Sequence, residues 1–81
     1  MDFKIGDIHK VSFNDTEWGR ELADFYGVMP MFRIASKPFN VKKNKKGILF
    51  IKVNLVHEDK HGLTADDKII TLPVKEHINW M

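Results

Sequence analysis

The most regular stretch of the chain runs from Ile48 to Val56, where Leu49, Ile51, Val53 and Leu55 alternate with Phe50, Lys52 and Asn54. A period of two marks a strand with one face on a core and the other in water, and it assigns Phe50 to the wetter face beside Lys52. Shorter apolar runs predict further strands around it. The first spans Phe3 to Phe13 and bends at Gly6-Asp7. Another covers Met31 to Ala35 and meets an edge or bulge at Lys37-Pro38, because proline cannot donate to a sheet ladder. Phe39 and Val41 then lead into a lysine-rich turn. His57 to Asp67 reads as a loop, Ile69 to Leu72 as a strand, and after Pro73 a turn or single helical turn precedes Ile78 and Trp80.

One helix interrupts this order. Asn14 with Glu17 three residues on reads as a capping box. Trp18, Leu22 and Phe25 fall on one face at helical spacing, a pattern that favours core packing, and Gly27 suits a left-handed stop. Gly19 costs about 1 kcal/mol relative to alanine inside a helix, so the helix is expected to be short. Taken together the pattern predicts a mainly-β domain, a small five-stranded barrel with one short helix in the first long loop. Residues 1–81 form one unit, since a chain of 81 residues has room for one modest core and no deep cavity. Six Phe, two Trp and one Tyr supply large core pieces, and Trp80 is expected to plug the bottom of the barrel. Core packing is also the default for Val28-Met29-Pro30-Met31-Phe32.

The ends of the chain carry a resemblance. Lys4-Ile5-Gly6-Asp7-Ile8-His9-Lys10-Val11 resembles the opening of SH3-like barrels, including the KOW type, where a segment with lysine and glycine-aspartate leads into the first strand. Ile70-Thr71-Leu72-Pro73-Val74-Lys75-Glu76-His77-Ile78 resembles their closing strand, helical turn and final strand. The sequence departs from the family at His9, where an apolar residue is usual, and in placing a helix in the long first loop. The resemblance implies barrel architecture and carries over no catalytic residues, because such barrels bind RNA, DNA, peptides and proteins alike. Small free-standing barrels of this type are frequent among phage and mobile-element accessory proteins, and the resemblance implies such an origin.

Charge sharpens the picture. Residues 1–36 carry four basic and six acidic groups, residues 37–52 six lysines and no acid, and residues 53–81 three basic and five acidic groups, so a net charge of +2 conceals a basic block. Such a block focuses field on an anionic partner, nucleic acid or an acidic protein face. The plainer reading is a solvated turn that keeps a sheet edge from aggregating. In the nucleic-acid reading Lys42, Lys43, Lys45 and Lys46, set around Asn44, contact phosphates, Lys52 and Arg33 extend the patch, and Phe50 offers a stacking surface. Lysine is a mobile point charge suited to phosphate contact, whereas base readout favours bidentate arginine, and the chain has only two arginines.

Catalytic chemistry finds little support. His57-Glu58-Asp59-Lys60-His61 has the spacing of a zinc hydrolase, yet that spacing works only on a helix, where positions four apart share a face. Here a strand precedes it and Gly62 follows at once, so a polar loop is expected and zinc hydrolysis stands as a remote alternative. His9 and His77 lie far away in sequence, Asp66 and Asp67 suit a turn or helix cap, Ser12 and Ser36 lack a nucleophile setting, and the glycines are isolated. No catalytic residue, metal or cofactor is therefore expected. The absence of cysteine, the lack of a signal-peptide layout in Met1-Asp2-Phe3-Lys4-Ile5 and the lack of a long apolar run point to the cytoplasm and away from membranes.

The function expected from these features is a non-enzymatic accessory module that contacts nucleic acid or a nucleoprotein machine through a basic hairpin. The alternative is a protein-binding inhibitor or adaptor of a host enzyme, motivated by the Met and aromatic residues between positions 25 and 32.

Overall fold

The computed structural model describes residues 3–41 and 47–81. They form a mainly-β domain with strands β1 (Ile8–Phe13), β2 (Met31–Ile34), β3 (Phe39–Asn40), β4 (Leu49–Asp59), β5 (Gly62–Ala65), β6 (Ile70–Pro73) and β7 (Ile78–Trp80), and one helix, α1 (Glu17–Tyr26). All pairings are antiparallel. The sheet runs β3-β4-β2-β1-β7, with β5 and β6 also paired to β4.

Seven strands stand where five were expected, because a bulge sets β3 apart from β2 and β5 forms within the stretch expected to be a loop. From Ile34 to Phe39 the chain advances five residues while its partner on β4 retreats only three, from Val53 to Phe50. The surplus is a bulge at the predicted Lys37-Pro38, held by Ser36, whose Oγ accepts the Lys52 N–H and donates to the Lys37 carbonyl. The same happens between Ala65, opposite Val56, and Ile70, opposite Val53. Here Asp66 and Asp67 make the turn expected of them, and Asp66 Oδ1 accepts the Lys68 N–H. Among the described residues the path is open, with β3 and β7 at its ends, so the ladders do not close a barrel.

The long expected loop from His57 to Asp67 is instead a hairpin, since β4 continues to Asp59 and returns as β5 with Gly62 at φ 112°. Odd positions of β4 face the core with even positions of β2: Ile51, Val53, Phe32 and Ile34 are fully buried, joined by Val11, Ile70, Leu72 and Ile78. Leu49 obeys the same alternation but lies beyond the edge of the core and is exposed, while Leu55 is half-buried. The first strand is shorter than expected. A turn at 5–6 with Gly6 at φ 97° precedes Ile8.

Helix α1 has the predicted length, but its cap is Thr16, not Asn14: Thr16 Oγ1 accepts the Gly19 N–H at 3.0 Å. Glycine at position 19 is required by space, because a Cβ there would collide with the Asn14 carbonyl oxygen and come within 2.8 Å of Thr16 Oγ1. At the other end Gly27 adopts φ 100°, and its N–H reaches the Ala23 carbonyl. The buried stripe runs through Leu22 to Tyr26, whose ring meets Phe32 edge-on at 5.6 Å. Phe25 belongs to the neighbouring angular position and is 75% exposed, contrary to the face expected for it. The i+4 step to Tyr26 reaches the core where the i+3 step to Phe25 does not.

The chain's end closes on its beginning. β7 pairs with β1, Trp80 packs against the core and donates Nε1–H to the Val74 carbonyl, and the Asn14 N–H reaches the His77 carbonyl. His77 sits at φ 68°, with Nδ1 2.7 Å from Thr16 Oγ1 and its ring against Trp18. His9 Nδ1 lies 3.1 Å from the Met81 carbonyl oxygen, and its ring meets those of Phe3 and Trp80 edge-on.

Two outcomes follow from this packing. Gly19→Ala is expected to destabilise the domain by about 1–2 kcal/mol in urea unfolding, since the collision outweighs the gain of about 1 kcal/mol in helix propensity. Burial also raises the pKa of Tyr26, the one tyrosine, above its ordinary 10.0. The unfolded chain therefore releases this proton first, so Tyr26's contribution to stability is complete below pH 10.0 and is lost as pH climbs through the raised folded value. Absorbance titration of the phenolate should show a midpoint above 10.0 in the folded protein.

Candidate functional site

Between Phe50 and Asn54 the even positions of β4 lie opposite the core-facing Ile51 and Val53, and the register brings Phe50, Lys52 and Asn54 onto one outer face with Phe39 of β3 and Arg33 of β2. Phe50 is directly opposite Phe39, and Asn54 is directly opposite Arg33. Three of the residues expected to bind, Arg33, Lys52 and Phe50, thus gather on one surface. Lys42, Lys43, Lys45 and Lys46 lie outside the described residues, in the connection between β3 and β4.

The strip has an order imposed by its neighbours. Arg33 and Lys52 are exposed, whereas Phe39 and Phe50 are half-buried, so each ring is anchored below and partly open above. Lys52 Nζ lies 5.7 Å from the centroid of the Phe39 ring. Such an exposed cation–π contact contributes about 0.5–1 kcal/mol.

Asn54 departs from the solvent-facing role its position suggested. It is 3% exposed, with Oδ1 accepting from Arg33 Nη2 at 3.2 Å and Nδ2 donating to the Lys68 carbonyl at 3.1 Å. The bulge after β5 folds residues 66–69 over this end of the face and removes Asn54 from water. A buried amide must satisfy both its groups, and here it does so by holding the Arg33 guanidinium and the 66–69 turn together. A shallow concavity forms beside it, lined by Arg33, Ala35, Asn54, Asp66, Asp67 and Ile69 among others. Asp66 and Asp67 give this end of the face an acidic border, opposite in sign to Arg33 and Lys52.

Two residues of this site, Phe39 and Asn54, were not among those expected. Phe39 was marked by its place just before the lysines, but only the pairing with Phe50 puts it on the strip. Nothing in the local sequence distinguishes Asn54 from a solvated strand residue.

The histidine spacing leads elsewhere. His57 lies in β4 and His61 in the turn before β5, where the His61 N–H donates to Asp59 Oδ1 at 2.7 Å, so the shared helical face that zinc hydrolysis needs does not exist. His57 Nε2 instead lies 4.0 Å from Asp66 Oδ2. Among the described residues no three His, Asp or Glu side chains are grouped to hold a metal ion, and no helix is long and apolar enough to cross a membrane.

Asn54→Ala is expected to cost about 1–3 kcal/mol, because a buried network loses its centre. Arg33→Ala should cost less, about 1 kcal/mol, because removing the exposed Arg33 side chain opens Asn54 Oδ1 to water, which takes over the lost hydrogen bond. Urea unfolding checks both values, and hydrogen exchange should accelerate at the amides of Asp66 and Lys68 in the Asn54 variant alone.

The chain matches no protein-family model, and neither a curated protein nor a solved structure is similar to it.

Proposed function

We propose that this domain is a non-enzymatic accessory module that binds nucleic acid, alone or within a nucleoprotein assembly, through the face bearing Arg33, Lys52, Phe39 and Phe50, assisted by the lysines that follow β3 in sequence. The observation that carries this reading is the convergence on one face of two cations and two partly open aromatic rings, in a chain whose sequence between β3 and β4 holds Lys42, Lys43, Lys45 and Lys46. Cations neutralise phosphates while the rings accept base faces, a combination that binds polynucleotide without base-specific readout. The SH3-like frame remains part of this proposal, with α1 in its first long connection and β7 paired back onto β1.

A second reading draws on a different surface. Phe25, Val28 and Met29 are 75%, 81% and 52% exposed near the end of α1. Clustered exposed apolar side chains suit a protein contact, and an adaptor role would use them.

Fluorescence anisotropy against labelled nucleic acid across a salt series separates the two readings. The native domain should bind weakly with a steep salt dependence. Replacing Lys42, Lys43, Lys45 and Lys46 by Ser should weaken binding and flatten the slope of log K against log salt by up to about 3 for a single strand. Unchanged affinity in that variant would remove the basic connection from the interface.

A further inference from the structure

We infer that the polynucleotide bound by this face is single-stranded, a step that rests on the nucleic-acid reading above. Lysines alone do not discriminate, because single strands and duplexes both present phosphates. The discriminating feature is the cross-strand pair Phe39 and Phe50, two rings anchored in the sheet and partly open on the cationic face. A duplex keeps the flat faces of its bases inside the stack and offers groove edges and phosphates, so these rings gain nothing from it. An unpaired strand can turn its bases onto them.

The rest of the described structure points the same way. Reading the major groove calls for an inserted helix or ribbon. Helix α1, the one helix among the described residues, packs on the core through Leu22 and Tyr26 and carries Glu17, Glu21 and Asp24. Its acids repel a groove, as do the exposed Glu58 and Asp59 near the tip of the two-stranded ribbon that β4 and β5 form. Arg33, by contrast, has its guanidinium held by the buried Asn54, and the four-residue step from Asn54 to Phe50 on β4 sets fork and rings about 13 Å apart along one face. A short extended strand can lay phosphate on the fork and bases on the rings at once.

The test compares one labelled sequence in three forms at low salt: an intact single strand, its duplex, and a single strand with abasic sites, each as DNA and as RNA. The intact strand should bind at least about tenfold more tightly than the other two in one or both sugars. Phe39→Leu combined with Phe50→Leu should lower affinity for the intact strand by about tenfold and leave duplex and abasic binding unchanged, with circular dichroism confirming the fold. Equal or tighter duplex binding, or an abasic strand that binds the native domain as well as the intact one, overturns the inference while leaving the broader reading in place. The abasic comparison uses the native protein, so it stands even if the double variant fails to fold. Absence of binding to every probe overturns both.

Discussion

Strand β4 carries the hydrogen-bond ladder on which most of the sheet depends. Along its eleven residues it pairs with β2 and β3 on one side and β5 and β6 on the other, leaving only β1 and β7 to be attached through β2. Ile51 and Val53 are fully buried at its centre, and the even residues between and beside them form the middle of the outer face. Core and candidate site are therefore opposite faces of one strand. A register slip of one residue would exchange them, driving Lys52 into the core and Val53 into water, so burial of the apolar face also secures the placement of the cations.

Polar groups then adjust this frame where regular pairing fails. Each neighbour of β4 breaks once, and each break has its own anchor: Ser36 at the bulge before β3, and Asp66 with Asn54 at the bulge before β6. The second matters most for the outer face. By drawing residues 66–69 over Asn54, it buries an amide that would otherwise be solvated, fixes Arg33, and gives one end of the strip an acidic border. Directional order along the face thus comes from a turn distant in sequence.

The helix is secured at its start more firmly than at its end. Thr16 caps it, Gly19 lets the chain approach Asn14 closely, and His77 ties both to the turn before β7. That junction joins the first long connection to the last strand and brings the two ends of the chain together. Phe25 faces solvent from the outer side of α1, and beyond Tyr26 the chain leaves the core, which is why Val28 and Met29 are exposed despite their apolar character.

Much of this was readable in the order of residues. The period of two in β4, the bulge at Lys37-Pro38, a short helix stopped by Gly27 and the closing segment to Trp80 all express local preferences that survive in the folded chain. Phe25 and Tyr26 show where such reading stops, since both fit an amphipathic stripe and only the position of Phe32 selects Tyr26. Asn54 is the clearer case. A polar residue on the wet side of a strand is ordinarily solvated, and its burial depends on a turn fourteen positions away. Composition and periodicity by themselves determined a small mainly-β domain with a concentrated positive charge. Tertiary structure alone decided that the β4 pairing breaks a second time between β5 and β6, that the described ladders stay open, and that Phe39, Phe50, Lys52 and Arg33 share a face, because register between strands is set by nonlocal burial that no single segment encodes.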